Sequence, residues 1–182
     1  MTSLRVPDLV GTLVRLALAG VWLVSGGMKL ADRIGTVVAV DAYEVLPSAF
    51  VPVVASVLPL VELALGVLLL VGAGTRVAAA VSAAVLVVFL AGLAQAWIRG
   101  LSIDCGCFGG GGPVAPGETE YGLELVRDLG FLAMAGWLVV RPRTLLALDA
   151  LWSAPGASPD GGRRDRDDVD DVDDVNDVER VG

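Results

Sequence analysis

Long apolar runs separated by short polar breaks dominate the chain up to Val140. About twenty consecutive apolar residues suffice for a helix to cross the hydrocarbon core of a bilayer. Val77–Ile98 is such a run, uncharged throughout and flanked by Arg76 and Arg99. Val51–Val71 is a second and carries Glu62 in its middle; Leu9–Leu30 is a third, with Arg15 about a turn and a half inside it. Arg15 is expected to snorkel toward the interface. The fourth run, Tyr121–Val140, is apolar from Leu129 onward but opens with the polar stretch ELVRDLG. Backbone groups in lipid must be satisfied within the segment, which makes helix the economical choice for all four. The pattern predicts an all-α membrane protein, a four-transmembrane-helix bundle over residues 1–152 with spans at about 9–30, 51–71, 77–98 and 121–140.

The breaks between the runs differ in kind. ADRIGTVVAVDAYEVLPSAF, between the first two runs, is too polar and too short to cross and is expected to form a short interfacial helix ended by Pro47. RPR after Val140 reads as a stop at the membrane surface, and TLLALDALW as a segment lying along it. From Ser153 the chain turns into SAPGASPDGGRR and then acidic triplets ending in Val. Val every third residue fits neither a strand nor a helical stripe. Crowded Asp repels itself, so residues 153–182 are expected to be a disordered acidic tail. At the other end MTSLR precedes an apolar run, but Arg15 interrupts it and VSGGMKLADR lacks a small-x-small cleavage site. This predicts a retained first span, not a cleaved signal.

Composition supports the membrane reading. The chain is 55% hydrophobic and 19% charged, too little polar surface to clothe a soluble domain of 182 residues. The net charge of −8 is unevenly spread: 9 basic and 11 acidic residues up to Trp152 give −2, and 4 basic and 10 acidic beyond it give −6. Nothing basic is concentrated enough for nucleic acid. Histidine is absent, which removes the commonest general base and excludes Ser-His-Asp and Cys-His hydrolases.

Both cysteines of the chain lie in one loop, SIDCGCFGGGG, between the third and fourth runs. Cys105 and Cys107 are i and i+2, a separation compatible with disulfide geometry if the intervening Gly106 adopts backbone angles closed to other residues. Closing so small a ring stabilises little, whereas a strained, exposed disulfide is readily exchanged. The pair therefore suits redox cycling better than stapling. Asp104 beside Cys105 is expected to disfavour the thiolate, and Gly109–Gly112 to offer an anion-friendly nest of N–H groups. Two other readings stay open: buried packing cysteines, and a soft-metal site that, without histidine, must recruit carboxylates or a second chain. No metal is assigned.

Charges within the runs add candidates. Glu62 near mid-span must be paired, protonated or hydrated; it is a proton carrier, a quinone-site residue or half of an interhelical ion pair. Arg127 and Asp128 open the fourth run close to the cysteine loop. Four spans put both termini on one side; placing them in the cytoplasm gives that side Arg5, Arg15, Arg76, Arg141 and Arg143 against Lys29, Arg33, Arg99 and Arg127 opposite. That orientation puts the cysteine loop on the oxidising side. It also predicts a polar funnel under the loop, built from Lys29, Asp32, Arg33, Arg99, Arg127 and Asp128.

The elements RLALAGVWLVSGGMKL, AYEVLP, LPLVELALGVLLL, DCGCFGGGG and VRDL together resemble the MauE branch of the DoxX-like membrane proteins, over most of the chain up to about Pro142 and excluding the acidic tail. The Cys-Gly-Cys-Phe-Gly element is the most specific of them. The resemblance implies a four-helix membrane bundle in which Cys105 and Cys107 are the functional pair and Glu62, Arg127 and Asp128 occupy recurrent polar positions. It implies work alongside a thioredoxin-like partner in maturing an exported, disulfide-rich client, in the methylamine setting the small subunit of methylamine dehydrogenase. The expectation is a multi-pass cell-membrane thiol–disulfide oxidoreductase, supported by Asp104 and Gly106 around the pair. It holds no tightly bound cofactor and passes electrons to a partner or a membrane quinone. The competing class is a non-catalytic membrane assembly or transport subunit.

Overall fold

The computed structural model of the chain describes residues 6–108, 110–115, 117 and 119–142. The segment TLLALDALW and the acidic tail at 153–182 lie outside the described residues. Five helices and a small hairpin follow in order: α1 (Val6–Ala31), α2 (Arg33–Ala42), α3 (Val51–Val71), α4 (Thr75–Ile98), β1 (Ile103–Asp104), β2 (Gly112–Pro113) and α5 (Tyr121–Val140). As helices, the second and fourth expected segments match α3 and α5 end to end; α1 and α4 start a few residues earlier than expected. Three of these helices, α1, α3 and α4, are long and apolar enough to cross a membrane. α5 has the length, but Glu124, Arg127 and Asp128 fill its first two turns.

The bundle packs α1 most extensively on α3 and α4 on α5. Its core draws Leu18, Ala19 and Trp22 from α1, Leu65 and Leu69 from α3, Ala78, Ala79 and Leu86 from α4, and Ala135 and Leu138 from α5. Lipid tails are as apolar as these side chains, so association depends on close packing, and small residues allow it. A Cβ on Gly66 would fall 2.7 Å from Leu23 Cγ, and one on Gly26 2.9 Å from the Pro59 carbonyl oxygen. The α1–α3 contact is therefore tighter than any side chain larger than hydrogen permits. Leu13, Val53, Val57, Val77 and Val88 point outward, as expected of a lipid-facing surface. The Trp22 indole N–H, which could not be left unmet in such an interior, donates to Ser82 Oγ at 3.0 Å.

Two expectations are corrected. Arg15 does not snorkel: it is buried, 2% exposed, and its Nη1 donates to the carbonyls of Leu69 (3.0 Å) and Leu70 (3.4 Å). The last carbonyls of α3 have no partner within the helix and carry its negative end, so a cation from α1 satisfies them where lipid cannot. The interfacial helix exists as α2, but it stops at Ala42, well short of Pro47. Its start is set by Asp32, whose carboxylate accepts the Gly35 N–H at 2.8 Å. Its end is set by Tyr43, drawn into a tertiary hydrogen bond described below, and by Glu44, which takes φ 50°.

Candidate functional site

The cysteine loop is a hairpin laid across one end of the bundle. Ile103 pairs with Pro113 and Asp104 with Gly112 in antiparallel register, and the Val114 N–H donates to the Ser102 carbonyl at 2.9 Å. Ile103 is buried with Leu93, Ala96 and Tyr121, which ties the hairpin base to the ends of α4 and α5. The Tyr121 hydroxyl donates to the Leu101 carbonyl at 2.6 Å.

The glycines of the loop are needed for contact. Gly106, Gly110, Gly111 and Gly112 all have positive φ. A Cβ on Gly111 would lie 2.6 Å from Gly106 Cα, and one on Gly106 2.9 Å from Ala39 Cβ of α2. The glycine run thus folds back on the Cys-Gly-Cys turn and presses it onto α2, a packing role where an anion nest was expected.

Three side chains from the helices hold the loop by its carbonyls. The Tyr43 hydroxyl donates to the Cys105 carbonyl at 3.2 Å. The Ser25 hydroxyl donates to the Cys107 carbonyl at 2.6 Å, and Lys29 Nζ reaches the same oxygen at 3.2 Å. Lys29 also donates to Ser25 Oγ at 2.7 Å and to Glu62 Oε1 at 2.9 Å. Of the roles open to Glu62, the structure gives it the interhelical ion pair, with its side chain 0% exposed and that of Lys29 8%. A buried pair survives only with its remaining donors and acceptors met, and here Ser25 and the loop carbonyl meet those of Lys29.

The sulfurs themselves are asymmetric. Cys105 and Cys107 are free thiols, partly exposed, and their side chains hydrogen-bond to each other. Cys105 Sγ accepts the Cys107 N–H at 3.3 Å and Arg127 Nη2 at 3.3 Å. Arg127 is steadied by Asp128 Oδ1 at 3.1 Å from its Nε and by the Phe108 ring, 5.1 Å from the guanidinium carbon. The hydrogen bond from the Cys107 thiol, then that from the Arg127 guanidinium, lower the Cys105 pKa to about 6 against the opposing effect of burial. Cys107 moves the other way: its S–H donates a hydrogen bond to the Cys105 sulfur and it is more deeply desolvated, so its pKa is raised well above the usual thiol range. The expectation that Asp104 would disfavour the Cys105 thiolate is reversed by these donors.

Of the residues expected at a polar funnel, the structure brings together Lys29, Arg127 and Asp128 with both cysteines. It leaves three outside: Asp32 caps α2, Arg33 is exposed, and Arg99 pairs with Glu44 at the surface. Three residues that hold the loop went unrecognised in the sequence: Ser25, Tyr43 and Glu124. Glu124 is buried and its Oε1 accepts the Cys105 N–H at 3.3 Å. Its spacing from Arg127 and Asp128, three and four residues, puts all three on one helical face, and that signal was readable. Asp104, Cys105 and Glu124 bring ligand atoms within 4.8 Å of one another. Three such ligands suit a zinc ion with an open position, but the Arg127 guanidinium already places a positive charge on the sulfur that would bind it.

The family model described as Methylamine utilisation protein MauE matches residues 7–141, well over half of the chain. Neither a curated protein nor a solved structure matches it.

Proposed function

The chain belongs to the MauE family of membrane proteins, and from that membership and the asymmetric thiol pair we propose that it is a membrane thiol–disulfide exchange protein. The observation that carries the reading is the double donation to Cys105 Sγ, from Arg127 and from the Cys107 N–H. Cationic or backbone donors on a sulfur stabilise thiolate, the form that reacts. Cys105 is the nucleophile and Cys107 the resolving thiol. The Cys105 thiolate attacks one sulfur of a partner's disulfide, forming a mixed disulfide and expelling the partner's second sulfur as a thiolate, which takes up a proton. Cys107 then loses its proton and attacks Cys105 Sγ. The Cys105–Cys107 bond forms, the mixed disulfide breaks, and the partner leaves with both electrons. Run backward, the same steps oxidise a partner dithiol.

A thioredoxin-like partner suits this chemistry because it presents an exposed dithiol to a loop that lies across the bundle end. An exported, disulfide-containing client is the downstream product, which the family's methylamine description makes concrete without requiring that pathway. In this reading α5 is the fourth span: its charged first turns are absorbed by the loop, leaving its apolar part for lipid. Both termini are then cytoplasmic and the loop faces the oxidising side. Cys107→Ser should accumulate a covalent adduct through Cys105 in intact cells, visible as a reductant-sensitive band. If Cys107→Ser gives no adduct while an impermeant reagent still labels Cys105, exchange is not the function.

A further inference from the structure

Beneath the Cys-Gly-Cys turn lies a cavity of about 580 Å³ between α2, α3 and α4. Cys105, Gly106 and Cys107 form part of its wall, and Val54, Leu58, Phe89 and Gly92 much of the rest. Val45, Leu46 and Val88 also line it and are exposed, in the class of surface that this bundle turns to lipid. A ligand entering there comes from the bilayer, and the volume falls within the ~300–1,000 Å³ typical of small-molecule sites. Resting on the exchange reading, we propose that this cavity binds the head group of a lipid-borne quinone, which oxidises the Cys105–Cys107 dithiol.

Three observations favour that occupant over an acyl chain. The wall includes both cysteines, whose dithiol is a two-electron donor, and the lipid-soluble counterpart is a two-electron, two-proton acceptor. Gln95 also lines the cavity, and its Oε1 is buried without a hydrogen-bond partner among the described residues. A hydroquinone O–H meets that acceptor, and a hydrocarbon does not. Lys29, a further wall residue, sets its ion pair with Glu62 beside the cavity, a polar neighbour that suits a ring oxygen and not a hydrocarbon. The step balances: the Cys105 thiolate and the Cys107 thiol form one S–S bond, and the two electrons released, with the Cys107 proton and one proton from water, convert the quinone to hydroquinone. The resulting disulfide oxidises the partner dithiol, so the quinone sets the direction of the exchange.

The test uses the full chain, reduced, in phosphatidylcholine nanodiscs with decylubiquinone as acceptor. The expected result is one quinone reduced per protein with loss of two titratable thiols, at a rate that saturates with quinone. Val54→Trp and Val88→Trp fill the cavity and should slow quinone reduction at least tenfold. Their reaction with a pyridyl disulfide should stay within about twofold of the parent. Gln95→Leu, close in size, should raise the quinone concentration for half-maximal rate at least fivefold and leave the pyridyl disulfide reaction unchanged; it carries the test if a Trp variant does not fold. Reaction with pyridyl disulfide but none with decylubiquinone overturns the quinone site and leaves the exchange reading standing. So does quinone reduction that neither saturates nor responds to these variants. Inertness toward both reagents removes the exchange reading itself.

Discussion

If Arg127 holds Cys105 as a thiolate, removing the guanidinium should shift the pH profile of reactivity upward in pH, so that the variant is slower at low pH and faster at high pH. The perturbation is Arg127→Met in a Cys107→Ser background, which leaves one reactive sulfur and keeps an O–H donor and the backbone N–H beside it. With Arg127 present the Cys105 pKa is about 6. The Cys107 side-chain hydrogen bond is the first cause of that lowering and the guanidinium the second, so the variant recovers only part of the way to an ordinary thiol, roughly 1.5 units on the scale of a neighbouring opposite charge. Two effects then compete. The thiolate fraction falls as the pKa rises, but each remaining thiolate is more nucleophilic, with a Brønsted slope of about 0.45, or roughly fivefold for that shift.

At pH 5 loss of thiolate dominates and the variant should react about sixfold more slowly; at pH 9 both are ionised and it should react about fivefold faster, the curves crossing close to pH 7. Stopped-flow reaction with a pyridyl disulfide between pH 5 and 9 reads this directly from the released chromophore. Arg127→Lys should fall between, since its compact ammonium keeps charge without the planar fork. Superimposable profiles, or a uniform loss at every pH, would falsify the assignment of Arg127 as the thiolate's partner.

Other expectations test the scaffold. Glu62→Gln or Lys29→Met leaves a buried charge unpaired and should cost about 3–5 kcal/mol, measured by SDS titration in mixed micelles; the joint Lys29→Met/Glu62→Met variant should recover much of the loss, and two harmless single variants would show the pair to be hydrated instead. Gly111→Ala forces a Cβ against Gly106 at a φ of 91°, so it should lift the loop and return the Cys105 midpoint toward the ordinary ~8.5. Gly117→Ala, at φ 93° with nothing within 4 Å of its Cβ, should add only backbone strain of about 1–2 kcal/mol and leave that midpoint unchanged. Equal midpoints in both glycine variants would refute the packing role of the turn.

What the sequence made legible follows from what apolar patterning encodes. The helices α3 and α5 could be read to the residue because Pro and Gly punctuate the first and a charge step the second. The cysteine pair stood out by inventory alone. Partners across helices were not readable: Glu62 was marked as needing one, but its match to Lys29 depends on which faces of α1 and α3 meet, and Gly26 and Gly66 set that contact. Tyr43 looked like part of a polar linker because its hydroxyl finds the Cys105 carbonyl, 62 residues away. Asp104 misled for a related reason: adjacency in sequence suggested that its charge would govern Cys105, whereas a guanidinium from α5 and the neighbouring N–H reach the sulfur itself.

The same comparison bears on why polar groups are placed in a chain so poor in them. A hairpin of this kind has few apolar contacts of its own, and a loop at the end of a bundle would ordinarily move freely. Here the two cysteine carbonyls are met from different elements: that of Cys107 by Ser25 and Lys29 of α1 and that of Cys105 by Tyr43 at the end of α2, while Glu124 of α5 takes the Cys105 N–H. Glu62 of α3 is buried so that Lys29 can be, and Lys29 is positioned to hold the Cys107 carbonyl. Apart from Arg15, which serves the end of α3, the charges inside the bundle therefore converge on one short turn, and loosening the helices that carry them should loosen it. That arrangement fixes which sulfur receives the donors of Arg127 and the Cys107 amide, and so which of two chemically identical thiols ionises first. A Cys105 midpoint that stayed near 6 after Lys29→Met, Tyr43→Phe and Ser25→Ala were combined would mean that the turn holds its own shape and the helices serve only as an anchor in the membrane.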